Sequence, residues 1–251
     1  MPDTTSRQWR GRSTVAVASI LTLGTLGALP ARASAATSSV VHETTARLPT
    51  GTALVRAAKK AMLAARSVHF VLASTAAGTT DEITADAGTS TGREVLRAGK
   101  ATATILLDKH DAFFGGNASG LAKFFGMPAS DVNKVGSKWV EVASGTSQYS
   151  TFQKNLLASS LPAAFLPAVK SVTVHRVRVA GKQDYRLTWV AAVSGKPFHE
   201  TLDISASGPA LPVSQVGTSG KDRESTTFTN WGELVHVTPP KRTIAFSKLA
   251  G

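Results

Sequence analysis

The sequence predicts an α+β fold: one large, strongly curved antiparallel sheet or barrel of about nine to eleven strands, with a leading helix and further short helices. Three observations carry this. Apolar residues recur at three- and four-residue spacing up to Arg66, and at two-residue spacing from Ser67 onward. Glycine-bearing turns, several of them Gly-Lys, punctuate the strand-like runs at short intervals. An apolar block interrupted by Pro162 and Pro167 separates two such runs.

The first 36 residues read as an export signal. Arg7, Arg10 and Arg12 precede an apolar run at 15–29, and residues 31–36 (ARASAA) offer the small side chains a signal peptidase accepts. The run is about 15 residues long and broken by glycines, whereas a span of the bilayer core needs ~20. A mature N-terminus between Ser34 and Thr37 is therefore expected, released from the cell and without a transmembrane helix. Residues 37–50, rich in Thr and Ser, form a flexible leader. The folded unit is placed at 51–251.

Thr50 or Thr52 can cap a helix over 52–66, with Leu54, Ala58, Ala61, Met62 and Ala65 on one stripe and Arg56, Lys59 and Lys60 opposite. Period-two runs then predict strands at 67–75, 82–89, 94–98, 101–107 and 111–115. Short helices are expected at 117–125 and 129–135 and within 148–169, with a strand at 138–142 between them. Strands resume at 172–179, 184–191, 198–205, 213–218 and 225–230.

Composition narrows the function classes. A chain of 251 residues, 42% of them apolar, buries a sizeable core without a staple. The absence of cysteine removes thiol chemistry, Cys zinc sites and lipidation at a mature N-terminal cysteine. Net charge is +12, with four Arg and one Asp of that total in residues 1–36. The Lys and Arg residues are scattered, which fits a solvated basic surface rather than nucleic-acid binding. Transient contact with a membrane surface or an anionic envelope polymer is the partner class such a surface would favour. A monomer without cofactor or metal is expected.

Four local patterns read as structure. Residues 88–92 (GTSTG) match G-x-S-x-G, but the segment before them is too acidic for the central strand a nucleophile elbow requires, so a hairpin turn is expected. The six His residues show no helical metal-pair spacing. Residues 217–221 (GTSGK) lack the first glycine of a P-loop and read as a turn. Asn117-Ala118-Ser119 is a formal glycosylation sequon, read as a loop entering a helix.

The aromatic pattern is more informative. Phe113, Phe114, Phe124 and Phe125 fall close together around a short helix that also carries Leu121. Leu157, Leu161, Phe165 and Leu166 lie in the Pro-interrupted segment, and Trp139 stands on a strand. These ten residues either line an apolar cavity between helices and sheet or cap the sheet as core; residue type alone does not separate the two.

Taken in order, the segments AMLAARSVHFVLAST, FFGGNASGLAKFFGMP, VGSKWVEV, GPALPVSQV and TTFTNWGELVHVTPP resemble the actinobacterial LppX/LprAFG lipoproteins, whose fold is similar to the LolA and LolB lipoprotein carriers. The resemblance implies a half β-barrel closed on its concave side by helices and enclosing an apolar cavity for acyl chains. It also implies a non-enzymatic binding protein that sequesters or carries a lipid or other amphiphile in the cell envelope. The chain departs from the family at the front, where ASAATSS stands in place of a lipidated cysteine. A structural or interaction module with a filled half-barrel, binding a wall polymer or protein, is the alternative.

Overall fold

The computed structural model describes residues 48–76, 78–168, 171–193 and 196–249. The expected signal region, and the leader as far as residue 47, lie outside the described residues. Helix α1 (Gly51–Ala65) starts where Thr50 Oγ1 accepts a hydrogen bond from Ala53 N–H at 3.3 Å. It ends at Arg66, whose φ of 65° is left-handed. Leu54, Ala58 and Met62 form its buried stripe, which joins one apolar cluster with residues of the sheet.

The chain then builds β1 (Val68–Ala76), β2 (Thr79–Ala87), β3 (Gly92–Ala98), β4 (Ala101–Leu107) and β5 (Asp111–Gly116) as a meander. Helices α2 (Ala118–Phe125) and α3 (Ala129–Val135) precede β6 (Trp139–Ala143), and α4 (Ser147–Leu156) and α5 (Leu161–Phe165) follow it. A second meander comprises β7 (Thr173–Val179), β8 (Lys182–Val193), β9 (Lys196–Ser205), β10 (Pro212–Ser219) and β11 (Asp222–Thr229). With a last short strand, β12 (Thr243–Ala245), the strands form one sheet in the order β12-β6-β5-β4-β3-β2-β1-β11-β10-β9-β8-β7. Antiparallel pairing of β1 with β11 joins the two meanders. The result is an open half-barrel with helices over its concave side.

The expectation of an all-antiparallel sheet of at most eleven strands needs one correction. A twelfth strand, β12 (Thr243–Ala245), runs parallel to β6 with Thr243 against Trp139. A parallel neighbour must come from a distant part of the chain, and residues 230–242 supply the crossing. Gly232 N–H donates to Ser67 O, Thr91 Oγ1–H donates to Val235 O at 2.8 Å, and Trp139 N–H donates to Arg242 O at 2.9 Å. This strap passes under the ends of β1 and β2 to the edge at β6. Beyond β12 a short turn buries Leu249.

The local patterns resolve as turns and caps. GTSTG connects β2 to β3, with Gly88 N–H on Thr91 O, so no helix follows Ser90. GTSGK is the β10–β11 hairpin. Asn117 caps α2, accepting from Gly120 N–H at 2.8 Å and donating to Lys100 O at 2.7 Å. Gly120 is required next to it, because a Cβ there would collide with the Thr102 carbonyl of β4.

Candidate functional site

In antiparallel ladders, residues directly opposite each other share a face. Following the register across the sheet therefore reads out the concave side. One row runs Phe228, Phe70, Ala85, Glu94, Ile105, Phe114 and Val140. The residues on either side of Glu94 belong to two separate apolar clusters. The first gathers Leu54, Ala58 and Met62 of α1, Leu161 and Phe165 of α5, and Phe70, Leu187, Leu202 and Phe228 of the sheet. The second gathers Leu121 of α2, Val135 of α3, Tyr149 and Leu156 of α4, and Ile105, Phe114, Val140 and Leu249. Ile83 packs against both.

Eight of the ten residues expected at an apolar site face this side. Leu161, Phe165 and Leu166 go to the first cluster, and Phe114, Leu121, Phe124, Phe125 and Leu157 to the second. Phe113 and Trp139 do not join them. Successive strand residues point to opposite faces, so Phe113 turns outward opposite Leu106 and Glu141 while Phe114 turns inward. Trp139, next to inward Val140, lays its ring over Gly115 at the back of the sheet, beside a recess of about 260 Å³. Several inward rings are in mutual contact: Phe165 meets Phe228 edge-on at 4.9 Å between centroids, and Phe114 lies 4.2 Å from Phe125.

The sequence reading did not single out the polar groups on this face. Glu94 is 5% exposed and sits at the seam between the clusters. Among the described residues, no hydrogen bond or ion pair reaches its carboxyl, and burial pushes its pKa up to about 7. Towards the hairpin end of the first cluster a second row runs Trp189, Glu200, Gly217, Glu224 and Ser74. Gln215 Nε2–H donates to Glu200 Oε2 at 3.0 Å, while Gln215 Oε1 is buried without a partner among the described residues. Burial raises Glu200, and burial followed by the charge of Glu200 pushes Glu224 up to about 7. Alternation could have revealed both sites. In GREVLRA the two arginines share one face, which puts Glu94 with Leu96, and in FHETLDI Glu200 shares parity with Phe198, Leu202 and Ile204.

The outer face differs in character. Asp203 there takes a two-pronged hydrogen bond from Arg186 at 2.7 and 2.9 Å, and His69 Nδ1 meets Asp86 Oδ1 at 2.6 Å with both side chains partly exposed. A groove of about 730 Å³ along β7, β8 and β9 is lined by the outward Thr173, Thr188, Val190, His199 and Thr201 together with Ser171, Trp189 and Glu200.

Two crystal structures of mycobacterial lipoproteins are similar to this chain in fold. LprF from Mycobacterium bovis aligns with a TM-score of 0.48 at 17% identity, over 76% of this chain and 96% of that one. The Mycobacterium tuberculosis lipoprotein LppX aligns with a TM-score of 0.49 at 14% identity, over 75% of this chain and 98% of that one. An uncharacterized conserved protein from Thermus thermophilus aligns at 0.41 and 10% identity, over 77% of this chain and 98% of its own. No protein-family model matches the chain, and no curated protein sequence does. Among the described residues no helix is long and apolar enough to cross a membrane.

Proposed function

We propose that the protein is a non-enzymatic binding protein of the cell envelope that takes up a lipid or other amphiphile between its helices and the concave face of its half-barrel. The observation that carries this reading is the place of Glu94. A side chain whose pKa is raised to about 7 by burial is a standing cost in a permanently closed core. At the seam of two apolar clusters, each roofed by different helices, it marks where the roof parts most readily. Acyl chains entering there would gain ~0.8 kcal/mol per buried CH₂. The family resemblance in the sequence supports the same reading, with export and release from the cell belonging to the proposal.

A second reading has an observation in its favour. The inward rings already touch, and a larger open groove, lined mostly by outward residues, runs along β7 to β9. A filled half-barrel that binds a wall polymer or protein through its outside would look this way.

Phe125→Trp and Leu161→Trp separate the two. In a carrier each abolishes binding of a fluorescent fatty-acyl probe, because the added ring occupies volume vacated for the ligand. In a filled module the unmutated protein binds no probe, and each change only overpacks the interior, at ~1–3 kcal/mol of stability. Probe titration together with a thermal melt checks both; an unmutated protein that ignores the probe rejects the carrier.

A further inference from the structure

The protein is strongly basic overall, at +12, yet among the described residues every buried charged side chain is a carboxyl: Glu94, Asp131, Asp184, Glu200, Asp203 and Glu224. Asp131 and Asp203 have cationic partners in Lys134 and Arg186. Among the described residues Glu200 and Glu224 have none. They face each other across Gly217 on the concave side, and the ring of Phe198 occupies the place where a Cβ at Gly217 would stand. Trp189 lies directly across from Glu200 on β8.

The donor and acceptor inventory of this group is one-sided. Two carboxyls and an amide oxygen offer acceptors, and among the described residues the one side-chain hydrogen bond made to them is from the Gln215 amide N–H to Glu200, although the hydroxyl residues Ser74 and Thr226 stand across from Glu224 and Gln215 on the same face. Gln215 is only 6% exposed, and among the described residues its Oε1 is left without a donor. A buried acceptor without a partner costs free energy, so the group lacks a hydrogen-bond donor, and two neighbouring carboxyls specify that donor as positively charged. Aromatic rings flanking the acids favour the same occupant, since a cation is attracted to a ring face. The row sits at the hairpin end of the first apolar cluster, so a chain whose head rests here has its tail directed toward Phe70, Leu72 and Phe228.

We propose that Glu200, Glu224 and Gln215 form a head-group subsite, and that the head it takes is cationic: an ammonium or guanidinium group carried on a hydrocarbon chain. This rests on the carrier reading and inverts the polarity that the surface charge alone would give. The basic surface does not prevent it, because at physiological ionic strength exposed charges are screened beyond ~8 Å.

The test compares three probes of equal chain length on the full protein at about pH 8, where the amine is charged: dodecylamine, dodecanol and dodecanoate, by calorimetric titration. Dodecylamine is expected to bind about tenfold tighter than either of the others. The double variant Glu200→Gln/Glu224→Gln should lose that preference while keeping its dodecanol affinity, which also reports that the variant is folded. If the double variant does not fold, Glu224→Gln alone decides, with a preference reduced by about threefold or more. Equal or tighter binding of dodecanoate, or a preference that survives the substitutions, overturns the subsite and leaves the carrier standing. Failure of the unmutated protein to bind any of the three overturns the carrier reading and the subsite with it.

Discussion

Replacing Glu94 by Leu is expected to raise the melting temperature at about pH 8 and to leave it nearly unchanged at about pH 4. The unfolded chain releases the Glu94 proton near 4.5, whereas the folded chain holds it to about 7. Between those values the native state binds more protons than the unfolded one, so stability falls as pH rises through the window. Below 4.5 both states are protonated and no penalty is felt; above about 7 both are ionised and the penalty is complete. The full difference is about 3 kcal/mol, or very roughly 6–12 °C for a domain of this size. Ala85 and Ile105 face Glu94 across the neighbouring strands, so an apolar side chain finds apolar company there. Glu224, also near 7, superimposes a similar decline that the substitution leaves in place. Melting curves of the two proteins across the pH range check this. A variant no more stable than its parent at alkaline pH would show that the carboxyl is not penalised. If Glu94 serves the seam, the stabilised variant also binds the acyl probe more weakly, the usual exchange of function for stability.

Leu249→Ala is expected to cost about 2–5 kcal/mol, and to lower the melting temperature accordingly. Leu249 is 1% exposed and packs into the second cluster beside Phe246, whose ring lies 6.4 Å from Phe114. It also anchors the far end of the strap, and with it β12 on the edge of β6. A loss below about 1 kcal/mol in a denaturant titration would mean that the end of the chain does not contribute to that cluster.

Much of this was legible in the sequence because local rules and tertiary packing agree. The Thr50 cap, the Leu54–Ala58–Met62 stripe and the alternation in strands such as ATATILL each specify their own element. Three features were hidden for separate reasons. β12 is three residues long, too short for any periodicity, and its partner is about a hundred residues away. The Phe113–Phe114 pair reads as one aromatic patch in sequence, but the pleat sends the two rings to opposite sides. The buried carboxyls were masked by residue type: Glu is ordinarily exposed, and only the parity of Glu94 with Leu96, or of Glu200 with Leu202, gives the inward face away.

The β1–β11 ladder carries a consequence for how the chain reaches this state. The other antiparallel ladders join strands that follow each other in the chain, whereas this one pairs His69 with Thr229, about 160 residues further on. Closing a loop of that length is entropically uphill before any contact repays it, and such high contact order slows folding. Each meander can assemble from neighbours alone, but the first apolar cluster, with residues from both, must wait for β11. Substitutions at the Phe70–Phe228 crossing are therefore expected to slow refolding more than equally destabilising ones in the β8–β9 hairpin, a difference that stopped-flow kinetics would read directly.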